Sequence, residues 1–265
     1  RWVRWQMPRL LRLVNVRGAG LSMGHILDEQ ARQIGHDTFF MWSDMAYSFA
    51  EANVRVNRIA NALDKIGVKQ GDHVGIMMDN HPDYLACLGA FSRMGVVGVL
   101  LNPGVRGDVL EHALEAGEVG RLIVAENHLE GVLEVVDKDR LIVTGPGSQH
   151  DGVESLEDLV STTSDTLAAH LPRNPGRPED LALLMFTSGT TGLPKAARIS
   201  NRRWFMAGTA SAAAAGLNPD DTVYCTLPLY HATGLLLGAG GALVSGCRLA
   251  LGAKFSVSKF WDDVH

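Results

Sequence analysis

Residues 183–200 read LLMFTSGTTGLPKAARIS. The apolar run Leu181-Ala182-Leu183-Leu184-Met185-Phe186 predicts a buried strand, and Ala196-Ala197-Arg198-Ile199 predicts a second. Between them lies Thr187-Ser188-Gly189-Thr190-Thr191-Gly192-Leu193-Pro194-Lys195, a stretch suited to wrapping an anion. Glycine lets backbone N–H groups turn toward a common centre. Ser and Thr hydroxyls add short donors, and Lys195 adds a mobile positive charge. The stretch reads as a phosphate-binding loop. A solvated turn rich in Ser, Thr and Gly is the alternative, but such a turn has no use for a buried strand on each side and a closing Pro-Lys pair.

It differs from the common P-loop, which needs Gly, four residues, then Gly-Lys-Ser/Thr opening a helix. Counting from Gly189, the second glycine position is Pro194. The chain then enters a strand, so a helix dipole is not the main device for holding the anion.

Before the loop, helix and strand patterns alternate. Ser48-Phe49-Ala50-Glu51 forms a capping box. Val56, Ile59, Ala60, Leu63 and Ile66 follow at helical spacing, and Gly67 ends the helix. A strand at 73–78, helix 82–94, strand 96–101, helix 107–117, strand 121–125, helix 127–136 and strand 140–144 continue the series. This predicts an α/β fold with mainly parallel strands. Residues 145–180 are richer in Gly and Pro and read as a looser surface connection, with a short helix near 154–160. After the loop come a helix from about Arg202 through Ala215 and a strand at 222–225. Asn218-Pro219 places Asp220 and Asp221 in the turn between them.

Composition sets the outer limits. The 265 residues are 46% hydrophobic and 20% charged, with formal net charge −5, as expected of a globular chain with a sizeable core. The mild acidity argues against nucleic acid as the main partner. Cys87, Cys225 and Cys247 have no metal-type spacing and cannot all pair, so a reducing, cytoplasmic compartment is the simplest reading. The histidines lack metal-ligand spacing, and no structural zinc is expected. The most apolar run, Leu235 to Leu251, is short for a membrane span and contains Arg248, so it is expected to form a core helix followed by a strand. Residues 1–22 form a basic, tryptophan-containing leader. Arg1, Arg4, Arg9, Arg12 and Arg17 interleave with Trp2 and Trp5, so residues 1–17 are candidates for peripheral membrane contact, with a solvated or locally packed leader as the alternative.

The 183–200 segment is similar to the nucleotide-binding core motif of AMP-forming adenylating enzymes, which include acyl-CoA synthetases, luciferases and peptide-synthetase adenylation domains. Leu227-Pro228-Leu229-Tyr230-His231-Ala232-Thr233-Gly234 resembles that superfamily's next motif, which lines the acyl pocket. Residues 235–264 (LLLGAGGALVSGCRLALGAKFSVSKFWDDV), with 47–85 and 101–114, resemble the fatty acid transport protein and very-long-chain acyl-CoA synthetase branch.

The resemblance implies an incomplete adenylation domain over 23–265: part of the large N-terminal domain, with the small C-terminal domain absent. It implies that Thr187, Ser188, Gly189, Thr190, Thr191, Gly192 and Lys195 contact the triphosphate of ATP, with Mg²⁺ accompanying it and none of the chain's own residues singled out as a metal ligand. His231 and Gly234 would shape the acyl pocket, His231 by shape and hydrogen bonding. Tyr230, Phe260 and Trp261 are expected to pack in the core, and Arg202 and Arg203 to lie on a solvated helix face. The implied reaction joins a long- or very-long-chain fatty acid to CoA through an acyl-adenylate. The family's later motifs, including the catalytic Lys of its C-terminal domain, have no counterpart here. The chain alone is therefore expected to lack ligase turnover and to expose strand edges and apolar surface. Two alternatives stay open: an adenylating enzyme for another carboxylic acid, and a non-catalytic nucleotide- or acyl-binding remnant.

Overall fold

The structure, a computed structural model, describes residues 21–147, 149–172, 176–187, 193–258 and 260–264. The leader thus lies outside the described residues, apart from Leu21 and Ser22. Ser22 caps helix α1 (Met23–Ile34), its Oγ accepting from His25 N at 3.2 Å. Strands β1 (Thr38–Trp42) and β2 (Met45–Ser48) form an antiparallel hairpin. Helix α2 (Phe49–Lys65) starts on the expected capping box: Ser48 N donates to Glu51 Oε2 at 2.7 Å, and Glu51 N donates to Ser48 Oγ at 3.2 Å. Its stripe of Val56, Ile59, Ala60 and Leu63 is buried.

The alternating series then runs β3 (His73–Met77), α3 (Pro82–Met94), β4 (Val97–Leu100), α4 (Gly107–Ala116), β5 (Arg121–Ala125), α5 (Glu126–Val132), β6 (Leu141–Thr144), β7 (Glu154–Ser155) and α6 (Leu156–Ser161). Strands β8 (Leu181–Thr187) and β9 (Lys195–Ser200) follow, then α7 (Asn201–Ala215) and β10 (Thr222–Cys225). A π-helical segment (Thr233–Ala239) leads into α8 (Gly240–Ser245), β11 (Arg248–Leu251) and the short α9 (Phe260–Val264). No described helix is long and apolar enough to cross a membrane.

Two sheets result. The larger has the order β7-β6-β5-β3-β4-β8-β9, parallel throughout except for the antiparallel β8–β9 pair. The smaller, β10-β11-β1-β2, is parallel up to its hairpin. Strand alternation divides the core between the two faces of the larger sheet. Ile76, Ile123, Ile142 and Leu183 pack on one side with α2 and α3, whereas Met77, Leu122, Val124, Val143 and Leu184 pack on the other with α4 and α5. Burial on both faces explains why these strands are continuous apolar runs.

Two expectations are corrected. The helix expected over 127–136 ends at Val132, where Val135 N and Val136 N both donate to Val132 O and turn the chain. Phe260 and Trp261 are not core. Trp261 is 66% exposed and Phe260 is half-buried, because the short α9 rests on the surface through the Tyr224 ring and a Tyr224 Oη–Asp263 Oδ2 hydrogen bond of 2.7 Å. Val257, Phe255 and Leu227 add further exposed apolar surface.

One polar cluster fixes three helices. Arg93 of α3 is 1% exposed. Its Nη2 donates to Gly24 O at 3.0 Å and Asn53 Oδ1 at 2.7 Å, and its Nη1 donates to Asn57 Oδ1. Removing the guanidinium strands these acceptors away from water. Arg93→Met is expected to lower stability by about 2–4 kcal/mol, read as a reduced urea midpoint at unchanged slope. Arg93→Lys keeps a charge but loses the planar fork, so it should recover only part of the loss.

Candidate nucleotide and acyl site

The base of the phosphate loop is a strand pair. Thr187 and Lys195 are the last partners of the β8–β9 ladder, and Thr187 Oγ1 lies 3.5 Å from Lys195 O as its donor. Both side chains are exposed, so the Lys195 ammonium can face an incoming anion, and the Thr187 hydroxyl can do so by turning from its long bond to Lys195 O. Ser188, Gly189, Thr190, Thr191 and Gly192 lie outside the described residues. On the return, Pro194 O sits 3.2 Å from His112 Nε2, which ties the loop's second limb to α4.

The second motif starts where β10 leaves the smaller sheet. His231 N donates to Pro228 O at 3.1 Å and Leu235 N donates to His231 O at 3.0 Å, so the chain folds over itself into the π-helical segment. Gly234 sits beneath that fold. A Cβ there would lie 2.4 Å from Pro228 O and 2.7 Å from Leu227 O, distances no side chain tolerates. His231 is exposed, its ring centroid 4.4 Å from that of Tyr230. Tyr230 is half-buried against the core, as expected, and burial followed by the nearby Asp79 charge pushes its phenol above the ordinary value. The apolar cavity beneath the π-helical segment, lined by Leu235, Ala239, Leu243 and Trp204 among others, is about 40 Å³, room for a water but not an alkyl chain.

Asp220, Asp221 and Arg202 fall as the spacing suggested. Asp221 Oδ2 accepts from Asn218 N at 2.8 Å and Asp220 N donates to Asn218 Oδ1 at 3.0 Å, which makes the pair a turn. Arg202 pairs with Glu179 on an exposed helix face. Cys87, Cys225 and Cys247 are free and buried, and burial pushes each thiol up. Among the described residues no group of three His, Cys, Asp or Glu side chains could hold a metal ion.

The structure adds residues that spacing did not mark. Asn80, just beyond β3, donates through Nδ2 to Leu227 O at 3.1 Å and Gly252 O at 2.9 Å, and its Oδ1 accepts from Leu229 N at 2.9 Å. These bonds join the larger sheet to the ends of β10 and β11. Beside it, Asp79 Oδ2 lies 2.9 Å from His128 Nε2 and accepts from Asn127 Nδ2 at 3.1 Å. Partial burial raises the Asp79 carboxyl, but these hydrogen bonds outweigh it and hold the group below its ordinary value. The helices after β3 and β5 cover opposite faces of the sheet, so a crevice opens between the carboxyl ends of these strands, where ligands of such sheets bind. It measures about 320 Å³ and is lined by Asp79, Asn80, Glu126, Asn127 and Thr144 among others. A larger cavity, about 610 Å³, lies elsewhere, between the β1–β2 hairpin, α2 and the start of α3. Neither space is lined by Thr187, Lys195, His231 or Gly234.

Residues 27–265 match the AMP-binding enzyme family. The chain belongs to that family. Among its relatives, the long-chain fatty acid transport protein 2 of Rattus norvegicus is 34% identical over 264 residues, which is 97% of the chain and 42% of that protein. The medium/long-chain-fatty-acid–CoA ligase FadD6 of Mycobacterium tuberculosis is 34% identical over 272 residues, 98% of the chain and 45% of that protein. The chain thus spans less than half the length of these curated relatives. In structure it is similar to the anthranilate CoA ligase AuaEII, solved in complex with anthranoyl-AMP: TM-score 0.83 at 20% identity, covering 94% of the chain and 49% of the ligase. The chain therefore has the α/β fold, with mostly parallel sheets flanked by helices, that the sequence predicts.

Gly234→Ala tests the fold of the second motif. The added methyl must displace the Leu227–Pro228 backbone rather than a flexible side-chain tip, so a loss of about 1–3 kcal/mol is expected. Differential scanning calorimetry of the variant against the parent chain reads it directly.

Proposed function

We propose that this chain carries the ATP-phosphate and acyl-carboxylate side of an AMP-forming fatty acyl-CoA ligase acting on long- or very-long-chain acids. One observation supports the reading above the others. In the order β3-β4-β8, Ile76, Leu100 and Met185 lie level. Thr187, at the carboxyl end of β8, and Asn80, beyond the carboxyl end of β3, therefore leave the sheet on one edge, two strands or about 10 Å apart. Asn80 in turn holds the start of the acyl motif. The phosphate loop and the acyl motif are thus anchored to one edge of one sheet.

The chemistry requires such a meeting. A carboxylate is a poor electrophile. Its attack on the α-phosphate of MgATP forms an acyl-adenylate and expels pyrophosphate, after which the CoA thiol displaces AMP. The loop's N–H and hydroxyl donors would neutralise charge moving onto the departing phosphates, with Lys195 following that charge. The acyl motif would hold the carboxylate in line with the α-phosphate. His231, exposed beside Tyr230, would flank the carboxylate, and Gly234 would keep the motif's backbone close-packed behind it. MgATP, fatty acid and CoA all enter as substrates.

A second reading keeps the binding without the turnover: a nucleotide- and acyl-binding unit. Calorimetric titration of the purified chain with MgATP and with acyl-sulfamoyl-adenosines, beside a pyrophosphate-exchange assay, separates the two readings. Lys195→Met removes the mobile cation from the loop and is expected to weaken MgATP about tenfold, at the low end for a charged hydrogen bond because Lys195 is exposed. MgATP affinity unchanged in Lys195→Met would count against the loop as its phosphate site.

A further inference from the structure

We propose that Asn80 is a positioning residue for the acyl motif, a role that rests on the reading above. Asn80 is 6% exposed and uses its amide at both ends. Two N–H bonds go to Leu227 O and Gly252 O, and the carbonyl receives Leu229 N. All three partners are backbone groups just past strand ends, where no ladder satisfies them. Gly252 N also donates to Cys225 O at 2.9 Å, so the ends of β3, β10 and β11 meet in one knot.

The residue type follows from the pattern. A carboxamide alone among side chains of this size offers two donors and an acceptor in one plane. Aspartate would set a carboxylate against two carbonyls, and leucine would leave three backbone groups unmet. The hold reaches the acyl motif through its backbone. Asn80 grips Leu227 and Leu229, and Pro228 between them accepts from His231 N and packs against Gly234. If Leu227–Leu229 shifts, His231 and the start of the π-helical segment shift with it. Thr187 and Lys195 sit on the β8–β9 ladder, outside this chain of bonds. Asn80 therefore sets the acyl side of the site and leaves the phosphate side alone.

The test needs a control that loses an equal clamp elsewhere, and Asn61 supplies it. Its Nδ2 donates to Ser164 O and Thr166 O, and its Oδ1 accepts from Ala168 N, away from either motif. Hydrogen–deuterium exchange on the chain is compared for the parent, Asn80→Ala and Asn61→Ala. Exchange across 226–236 should be about tenfold faster in Asn80→Ala and unchanged there in Asn61→Ala. Binding of a palmitoyl-sulfamoyl-adenosine should weaken about tenfold in Asn80→Ala while MgATP binding holds. If Asn80→Ala does not fold, Asn80→Asp keeps the acceptor, loses both donors and should show the same pattern. Exchange across 226–236 no faster than in Asn61→Ala, or equal loss of both ligands, would overturn the proposal. A parent chain that binds neither ligand would sink the ligase reading instead, and the exchange data would still decide whether Asn80 holds the motif.

Discussion

Parallel pairing is the constraint on which the rest of the molecule depends. Strands β6, β5, β3, β4 and β8 all run one way, so each return passes through other structure and every carboxyl end opens on a single edge. That edge collects three connections: the turn with Asp79 and Asn80, the start of α5 with Asn127 and His128, and the exit from β8. Among the described strands of this sheet, β9 alone reverses direction. An antiparallel partner can be reached without a crossover helix, and Thr187 and Lys195 are the last partners of such a pair.

The second requirement is that the smaller sheet meet that edge. Its strands β10 and β11 end beside β3, and the join is polar: one buried carboxamide spans three backbone groups. A polar join costs desolvation unless every group is met, and here each arm of the amide has a partner. Close packing completes the arrangement. Gly234 lets the π-helical segment lie directly on the Leu227–Pro228 carbonyls, so the acyl motif has little freedom to drift.

Much of this was legible in the sequence because it is local. The Ser48–Glu51 box, the 3.6-residue stripe of α2 and the apolar runs of β3 to β6 each announce themselves within a few residues. The loop between two strands was legible for the same reason. What escaped depends on partners far along the chain. The β1–β2 hairpin is an edge whose other neighbour among the described strands is β11, some 200 residues on, and its second strand carries the mixed run Met45-Ala46-Tyr47-Ser48. Asn80 looks like an ordinary turn residue after a strand, and only its separations of 147, 149 and 172 residues from its partners reveal the clamp. Trp261 misled for the opposite reason: its size suggested burial, but the helix that carries it has a single turn's worth of anchoring.

The most direct measurement of the central claim, that phosphate loop and acyl motif share one sheet edge, is paramagnetic relaxation enhancement in the presence of Mn²⁺-ATP. The account predicts that bound Mn²⁺-ATP broadens the amide resonances of 187–195 and, next, of 78–81 and 227–234, and broadens least those of 69–72 and 118–120, at the opposite, amino ends of β3 and β5. Broadening centred on the hairpin, or confined to segments away from the carboxyl ends of β3 and β8, would contradict it.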